Sequence, residues 1–163
     1  MVKQIAFILP HLGPSQLAFY VINQINAISE KTVDYDFVLF YEHLIKPCVV
    51  PNCMVLNATE IFSFHGLLLS TTLDNAEVAL NSINTAKNIY YIWDLDWMRR
   101  GQNNYVKNIS ILRNPKLELI ARSQDHALAI ENYCNRKVSS IISDANMAEI
   151  DKLCLNKNSD QKL

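Results

Sequence analysis

The sequence predicts an α/β protein built in three layers, a central, mostly parallel sheet with helices on both faces. Three observations predict it. Short apolar runs rich in β-branched and aromatic residues recur along the chain, among them Ile5 to Leu9, Phe37 to Tyr41 and Ile89 to Trp93; runs of this length and kind read as buried strands. Between them, apolar residues return every three or four positions, the spacing of one helix face. Strand and helix alternate throughout, the pattern that right-handed crossovers turn into a parallel sheet. The 163 residues suit one domain with a sizeable core. With no internal repeat and no composition break, a single domain is expected over 1–155, followed by a polar tail over 156–163.

The elements follow in order. Lys3 to Pro10 is an apolar run ended by proline, hence a first strand. His11-Leu12-Gly13-Pro14 is a turn in which Gly13 is free to adopt positive φ. Either Ser15 caps the next helix or Pro14 sits in its first turn. That helix runs from Gln16 to Ser29, with Leu17, Tyr20, Val21, Gln24, Ile25 and Ile28 at helical spacing. Asp36 to Tyr41 is a second strand, Leu44 to Pro51 a proline-containing loop, Cys53 to Leu56 a short third strand, and Thr59 to Phe64 a short helical turn. Leu67 to Leu69 is a fourth strand, ending in Ser70-Thr71-Thr72, and a helix follows over Asp74 to Ala86 with Val78, Leu80 and Ile83 inward. After the strand at Ile89, a helix is expected from about Asn104 to Leu112 and a strand from Leu117 to Ala121. Ser123 caps a helix from Gln124 to Cys134, whose inner face is Ala127, Ile130 and Tyr133. A last strand spans Lys137 to Ile142 and a last helix Met147 to Leu155. The whole reads as one Rossmann-like unit.

Composition narrows the function. Half the residues are hydrophobic and 19% charged, and 15 Lys and Arg against 16 Asp and Glu give a net charge of −1. This argues against holding nucleic acid by bulk electrostatics. The four cysteines, Cys48, Cys53, Cys134 and Cys154, form no C-x-x-C pair and no zinc spacing. The start lacks the features of a signal peptide, and no apolar stretch approaches the span of a bilayer. A cytoplasmic protein with reduced thiols and no membrane span is therefore expected.

Asn88 to Gly101 is the stretch with the most chemistry. An apolar strand ends abruptly in Asp94 and Asp96, then Arg99 and Arg100. In open parallel sheets ligands bind just beyond the carboxyl ends of the strands, so this strand delivers acid and base to a crevice, unless the four charges form only a solvated, self-paired cluster. If the strand continues, alternation points Asp94 and Asp96 to one side. His11, at the end of the first strand, is either a base or hydroxyl contact or a plain loop residue. Gly13 and Ser15 open a helix N-terminus able to bind an anion. The three-glycine dinucleotide fingerprint is missing, however, and Pro14 removes a donor. Thr71 and Ser123 supply hydroxyls that cap, contact a ligand, or both. No Ser/His/Asp set can be assembled from the sequence, and G-x-S-x-G is absent.

Two family resemblances follow from these residues. The apolar run ending in Asp94-Leu95-Asp96 resembles the metal-nucleotide site of GT-A glycosyltransferases, which implies a divalent metal at Asp94 and Asp96. The segment from Ala121 to Ile150 resembles the end of the N-terminal domain of retaining GT-B glycosyltransferases. There a strand leads to a serine and a helix of the form S-x-x-x-A-x-x-L/I, then a turn, a strand and a polar link. Ser123, Ala127, Ile130, the turn at Asn135-Arg136-Lys137, the strand to Ile142 and the link Ser143 to Asn146 fall in that order. The start, PHLGPSQLAFYVINQI, is similar to that family's first strand, glycine turn and long helix, with one glycine where two are usual. YYIWDLDW resembles its acceptor-side strand, with Asp94 at the acidic position.

The GT-B resemblance covers nearly all of the chain and implies an acceptor-side lobe. The family's donor-binding second domain would begin where this chain stops. A glycosyltransferase-like half is therefore expected. It would bind a sugar or glycan acceptor and need a separate donor-binding chain or a second copy in a homo-oligomer, because transfer requires donor and acceptor at near-attack distance. Asp94 and His11 would act on the acceptor hydroxyl. Gly13, Ser15, Thr71, Asp96, Arg99, Arg100 and Ser123 would hold substrate, with no resident cofactor. Two alternatives stay open: a non-catalytic binding or assembly module, and a small metal-dependent GT-A-like transferase.

Overall fold

The computed structural model describes residues 3–31, 34–99 and 104–155. Its centre is a seven-stranded sheet: β1 (Lys3–Leu9), β2 (Tyr35–Tyr41), β3 (Met54–Asn57), β4 (Leu67–Ser70), β5 (Lys87–Ile92), β6 (Leu117–Ala121) and β7 (Ser140–Ile141). Every pairing is parallel, and the order across the sheet is β3-β2-β1-β4-β5-β6-β7. Among the described residues five α-helices cover it: α1 (Gln16–Ser29), α2 (Leu73–Asn81), α3 (Tyr105–Leu112), α4 (Gln124–Cys134) and α5 (Met147–Leu155). The expected α/β class and three-layer arrangement are what the chain adopts.

Alternation along each strand divides the core. Ile5, Phe7 and Leu9 of β1 point, with Leu69, Ile89 and Tyr91, toward α1 and α5. Ala6 and Ile8 point the other way, with Val38, Phe40 and Leu68, against Ala79 of α2 and a 3-10 turn over Ala58–Ser63. Tyr90, Ile92, Leu117 and Leu119 meet α2, α3 and α4. Strands buried on both faces read as unbroken apolar runs, and this is why they were visible in the sequence.

Helix starts follow the capping rule. Ser15, Thr72 and Ser123 are extended residues whose hydroxyls accept from Ala18 N, Asn75 N and His126 N. Pro14 lies outside α1. The α4 helix ends at Asn135 in the left-handed region, φ 52°, a conformation Asn tolerates. Beyond that turn the Arg136 guanidinium donates to the carbonyls of Leu112, Asn114 and Leu117, tying the end of α4 to the end of α3.

The structure corrects two expected boundaries. The α2 helix stops at Asn81, not Ala86, because the chain must return to the base of the sheet: Asn84 Nδ2 donates to Phe62 O and Ala86 N to Gly66 O. Its inner face is Leu73, Ala76 and Ala79, while Val78 and Ile83 are exposed. The β7 strand is shorter than Lys137 to Ile142, since only Ser140 and Ile141 pair with β6. On α4, Ala127 and Ile130 are buried and Tyr133 packs partly buried against the same core as expected, its ring against Trp97 and Tyr105, and Cys134 is buried beside them. Among the described residues no helix is long and apolar enough to cross a membrane.

Candidate functional site

The sheet order reverses direction between β1 and β4. Crossovers leave to opposite faces there, so the carboxyl ends of these strands separate and open a crevice, the usual ligand position in such sheets. The opening holds about 420 Å³ and is lined by residues from the end of β1, the start of α1, the end of β4 and the segment after β5. The last of these is the acidic stretch, and the crevice brings Asp94, Asp96 and Arg99 together with His11, Ser15 and Thr71. Ser123 is not in its wall. Arg100 lies outside the described residues.

The first turn does not work as the sequence suggests. No glycine among the described residues has positive φ. Gly13 is instead a matter of close approach: a Cβ there would collide with Cγ2 of Ile45, which descends from the loop after β2. Backbone bonds from His43 N to Pro10 O, 2.9 Å, and from Cys48 N to Leu12 O, 3.0 Å, hold that loop against the turn. The same packing encloses His11 Nδ1, which has no hydrogen-bond partner among the described residues. Beside it α1 begins, and Gln16 and Leu17 of its first turn line the crevice, bringing the partial positive charge of a helix N-terminus with them.

Asp94 and Asp96 have different roles. The strand ends at Ile92, and Asp96–Arg99 is a 3-10 turn, so the expected strand alternation does not apply. Asp96 turns inward. Its Oδ2 accepts from Leu73 N at 2.8 Å, at the start of α2, and its Oδ1 from the Tyr90 hydroxyl at 2.6 Å. A carboxylate at a helix N-terminus is stabilised by the dipole and by the otherwise orphaned N–H groups. Asp94 turns outward: Oδ1 accepts from Leu95 N at 2.8 Å and Oδ2 from Arg99 at 2.6 Å, both ionic side chains being more than half exposed. A divalent ion between the two aspartates would have to displace Arg99 and compete with α2 for Asp96. Among the described residues no three His, Cys, Asp or Glu side chains gather as a metal site.

Thr71 is buried, and its hydroxyl donates to Ile8 O at 2.7 Å across the β1–β4 gap. It fixes the crevice floor. Trp93, almost fully buried, forms the opposite wall; its ring meets Tyr20 and Tyr91, and the Arg122 guanidinium lies 4.8 Å from its centroid. That cation–π contact links the crevice to α4. There Ser123 Oγ lies 2.8 Å from His126 Nδ1. Burial, then the nearby Arg122 charge, holds the His126 imidazole below its ordinary pKa, against the opposing pull of Asp94 and Asp125. His126 was not singled out in the sequence. The available signal was its position three residues after a capping serine, where a capping box usually has Glu or Gln.

Tyr91 braces the end of β5. Its hydroxyl donates to Ile142 O at 2.7 Å and accepts from Ala145 N at 3.1 Å, and burial pushes the phenol up to about 12. Cys48, Cys53 and Cys134 are free thiols, and burial pushes Cys53 up to about 11 and raises Cys134.

Comparison with protein-family models, curated proteins and solved structures gives no match. The functional reading therefore rests on the crevice and on the residue patterns that form it.

Proposed function

We propose that the chain is the acceptor-binding half of a glycosyltransferase-like system. The crevice takes a hydroxyl-rich acceptor, a sugar or glycan, and a separate chain or a second copy supplies the donor-binding wall. One observation carries the reading: the switch-point crevice gathers His11, Ser15, Thr71, Asp94 and Arg99 from three separate stretches of chain. Hydroxyls, an imidazole and an exposed ion pair beside the Trp93 wall suit a ligand rich in hydroxyl groups. Asp96 is committed to α2 and Tyr90, so the groups left to orient an acceptor hydroxyl or take its proton are Asp94 and His11. The GT-B-like order of elements supports the same assignment.

Calorimetry with a panel of oligosaccharides and sugar-nucleotides, with and without manganese, tests it. The expected result is that an oligosaccharide binds the lone chain, that His11→Ala and Asp94→Asn each weaken it about tenfold or more, and that sugar-nucleotides bind weakly. Tight, manganese-dependent sugar-nucleotide binding lost in Asp96→Ala would replace this reading with the metal-dependent one. Binding of neither ligand class, by the chain alone or mixed with candidate donor-binding partners, would leave a non-catalytic assembly module.

A further inference from the structure

The α1 helix buries Ala18, Val21, Ile22 and Ile25 against the sheet. Its exposed residues, Gln16, Phe19, Asn23 and Ala27, with Glu30 at the C-cap, follow at helical spacing as one outward stripe. No Asp, Glu, Lys or Arg falls between Pro10 and Ser29, and only Lys46 between His43 and Thr59, in a chain that is 19% charged. The second of these segments flanks the first. Cys48 N donates to Leu12 O, Asn26 Nδ2 donates to Val50 O at 2.8 Å, and Asn26 Oδ1 accepts from Asn52 N at 2.7 Å. Phe19 of the helix and Leu44 and Val50 of the loop are more than half exposed. Depletion of charge around exposed aromatic and aliphatic side chains distinguishes an interface core from the rest of a surface.

The order of residues in the stripe indicates what covers it. The stripe is symmetric about Asn23, with Phe19 and Ala27 four residues to either side and Gln16 and Glu30 seven. A second α1 laid antiparallel across a two-fold axis at Asn23 sets Phe19 against the partner's Ala27 and Gln16 near the partner's Glu30. Each pairing then occurs twice, as a two-fold contact requires. A ring meets a methyl group, so the two helices approach closely. Asn23 Nδ2 donates one hydrogen to Phe19 O at 2.8 Å, and its second hydrogen and Oδ1 are left to pair with the same amide of the partner. The charges agree with this direction. Glu30 is exposed at one end of the helix and Lys46 at the other, beside the packing of Ile45 on Gly13; neither forms an ion pair among the described residues. Antiparallel packing brings the partner's Glu30 to Lys46 and to the N-terminus of α1, where the helix dipole also favours a carboxylate. Parallel packing would set Glu30 against Glu30.

We propose that this face is a self-association surface. Two copies of the chain pair through antiparallel α1 helices about a two-fold axis at Asn23, with Leu44 and Val50 packing at the sides and Lys46 paired with the partner's Glu30. One helix pair and its flanking loops lie at the low end of interface sizes, so the dimer is reversible, with an affinity on the order of micromolar. The inference does not rest on what the crevice binds.

Sedimentation equilibrium of the full chain, from micromolar to near-millimolar concentration, tests it. A monomer–dimer equilibrium is expected. Phe19→Glu and Ala27→Arg, both at exposed positions, should each weaken the dimer about tenfold or more, since each places an unpaired charge in the contact, with circular dichroism unchanged. The ion pair gives the sharper test. Glu30→Lys and Lys46→Glu should each weaken the dimer about fivefold alone, and an equimolar mixture of the two should regain the original affinity, because the mixed dimer has opposite charges at both contacts. Three results would each overturn the proposal: a chain that stays monomeric throughout, a dimer that Phe19→Glu and Ala27→Arg leave untouched, or a mixture of the two charge variants that associates no better than either alone.

Discussion

The two ends of the sheet use their hydroxyl and carboxylate side chains differently, although His11 Nδ1 is a buried atom without a partner at the carboxyl end as well. At the carboxyl end, Ser15, Thr71, Thr72 and Asp96 each bond to backbone, and Asp94 is paired with Arg99. At the amino end, Ser82 and Asn88 are more deeply buried than most of these and still have orphan atoms. The difference follows from the architecture. In a parallel sheet the helices begin at the carboxyl ends of the strands, and every helix start needs partners for its first N–H groups. Residues that would meet a ligand in the crevice are therefore also holding up helices. Crevice substitutions should change stability and binding together, whereas Ser82→Ala at the amino end, which removes a buried hydroxyl with no partner, should cost little stability.

The largest expected effect is at Asp96. Asp96→Ala removes the acceptor of the Leu73 N–H and of the buried Tyr90 hydroxyl, and should cost about 2–4 kcal/mol in urea unfolding. Asp96→Asn should cost less, since it keeps an acceptor. If Asp96→Ala is as harmless as Ser82→Ala, the contrast between the two ends fails. Next comes Gly13→Ala, which forces a methyl group into Ile45 and should cost about 1–3 kcal/mol. Most of that loss should return when Ile45 is also trimmed to Ala, measured as a double-mutant cycle. Thr71→Val keeps the shape but removes the bond to Ile8 O, and about 1 kcal/mol of destabilisation is expected in the same unfolding assay.

The smallest effect concerns pH. His126 has a folded pKa below its ordinary value of 6.5, so the unfolded chain binds its proton more readily. Its contribution to stability is complete above that value and is lost as pH falls through the folded pKa. Arg122→Ala removes the charge that helps depress it and should raise the His126 midpoint toward 6.5 in an imidazole NMR titration. An unmoved midpoint would mean that burial alone sets it and that the Arg122 link between the crevice and α4 is electrostatically weak.

Much of the fold was legible because its signals are local. The apolar runs of β1, β2 and β6, the helical spacing over Gln16 to Ser29 and the capping serines at positions 15 and 123 each report structure formed by neighbours in the chain. The length of α2 was not, since what stops it is Asn84 reaching Phe62 and Ala86 reaching Gly66, partners distant in sequence. The two aspartates were legible as chemistry but not as geometry. Nothing within Asp94-Leu95-Asp96 says that one will cap a helix more than twenty residues upstream while the other pairs with Arg99.

By itself the sequence determined the kind of layers, the strands buried on both sides and the place along the chain where charge gathers, because periodicity and capping act over a few residues. Tertiary structure alone decided the strand order. With it came the position of the crevice between β1 and β4, the reason for a glycine at position 13, and the unpartnered Asn88 Oδ1 and Ser82 Oγ at the amino end of the sheet. These depend on which distant segments become neighbours, and on whether a polar atom meets a partner there.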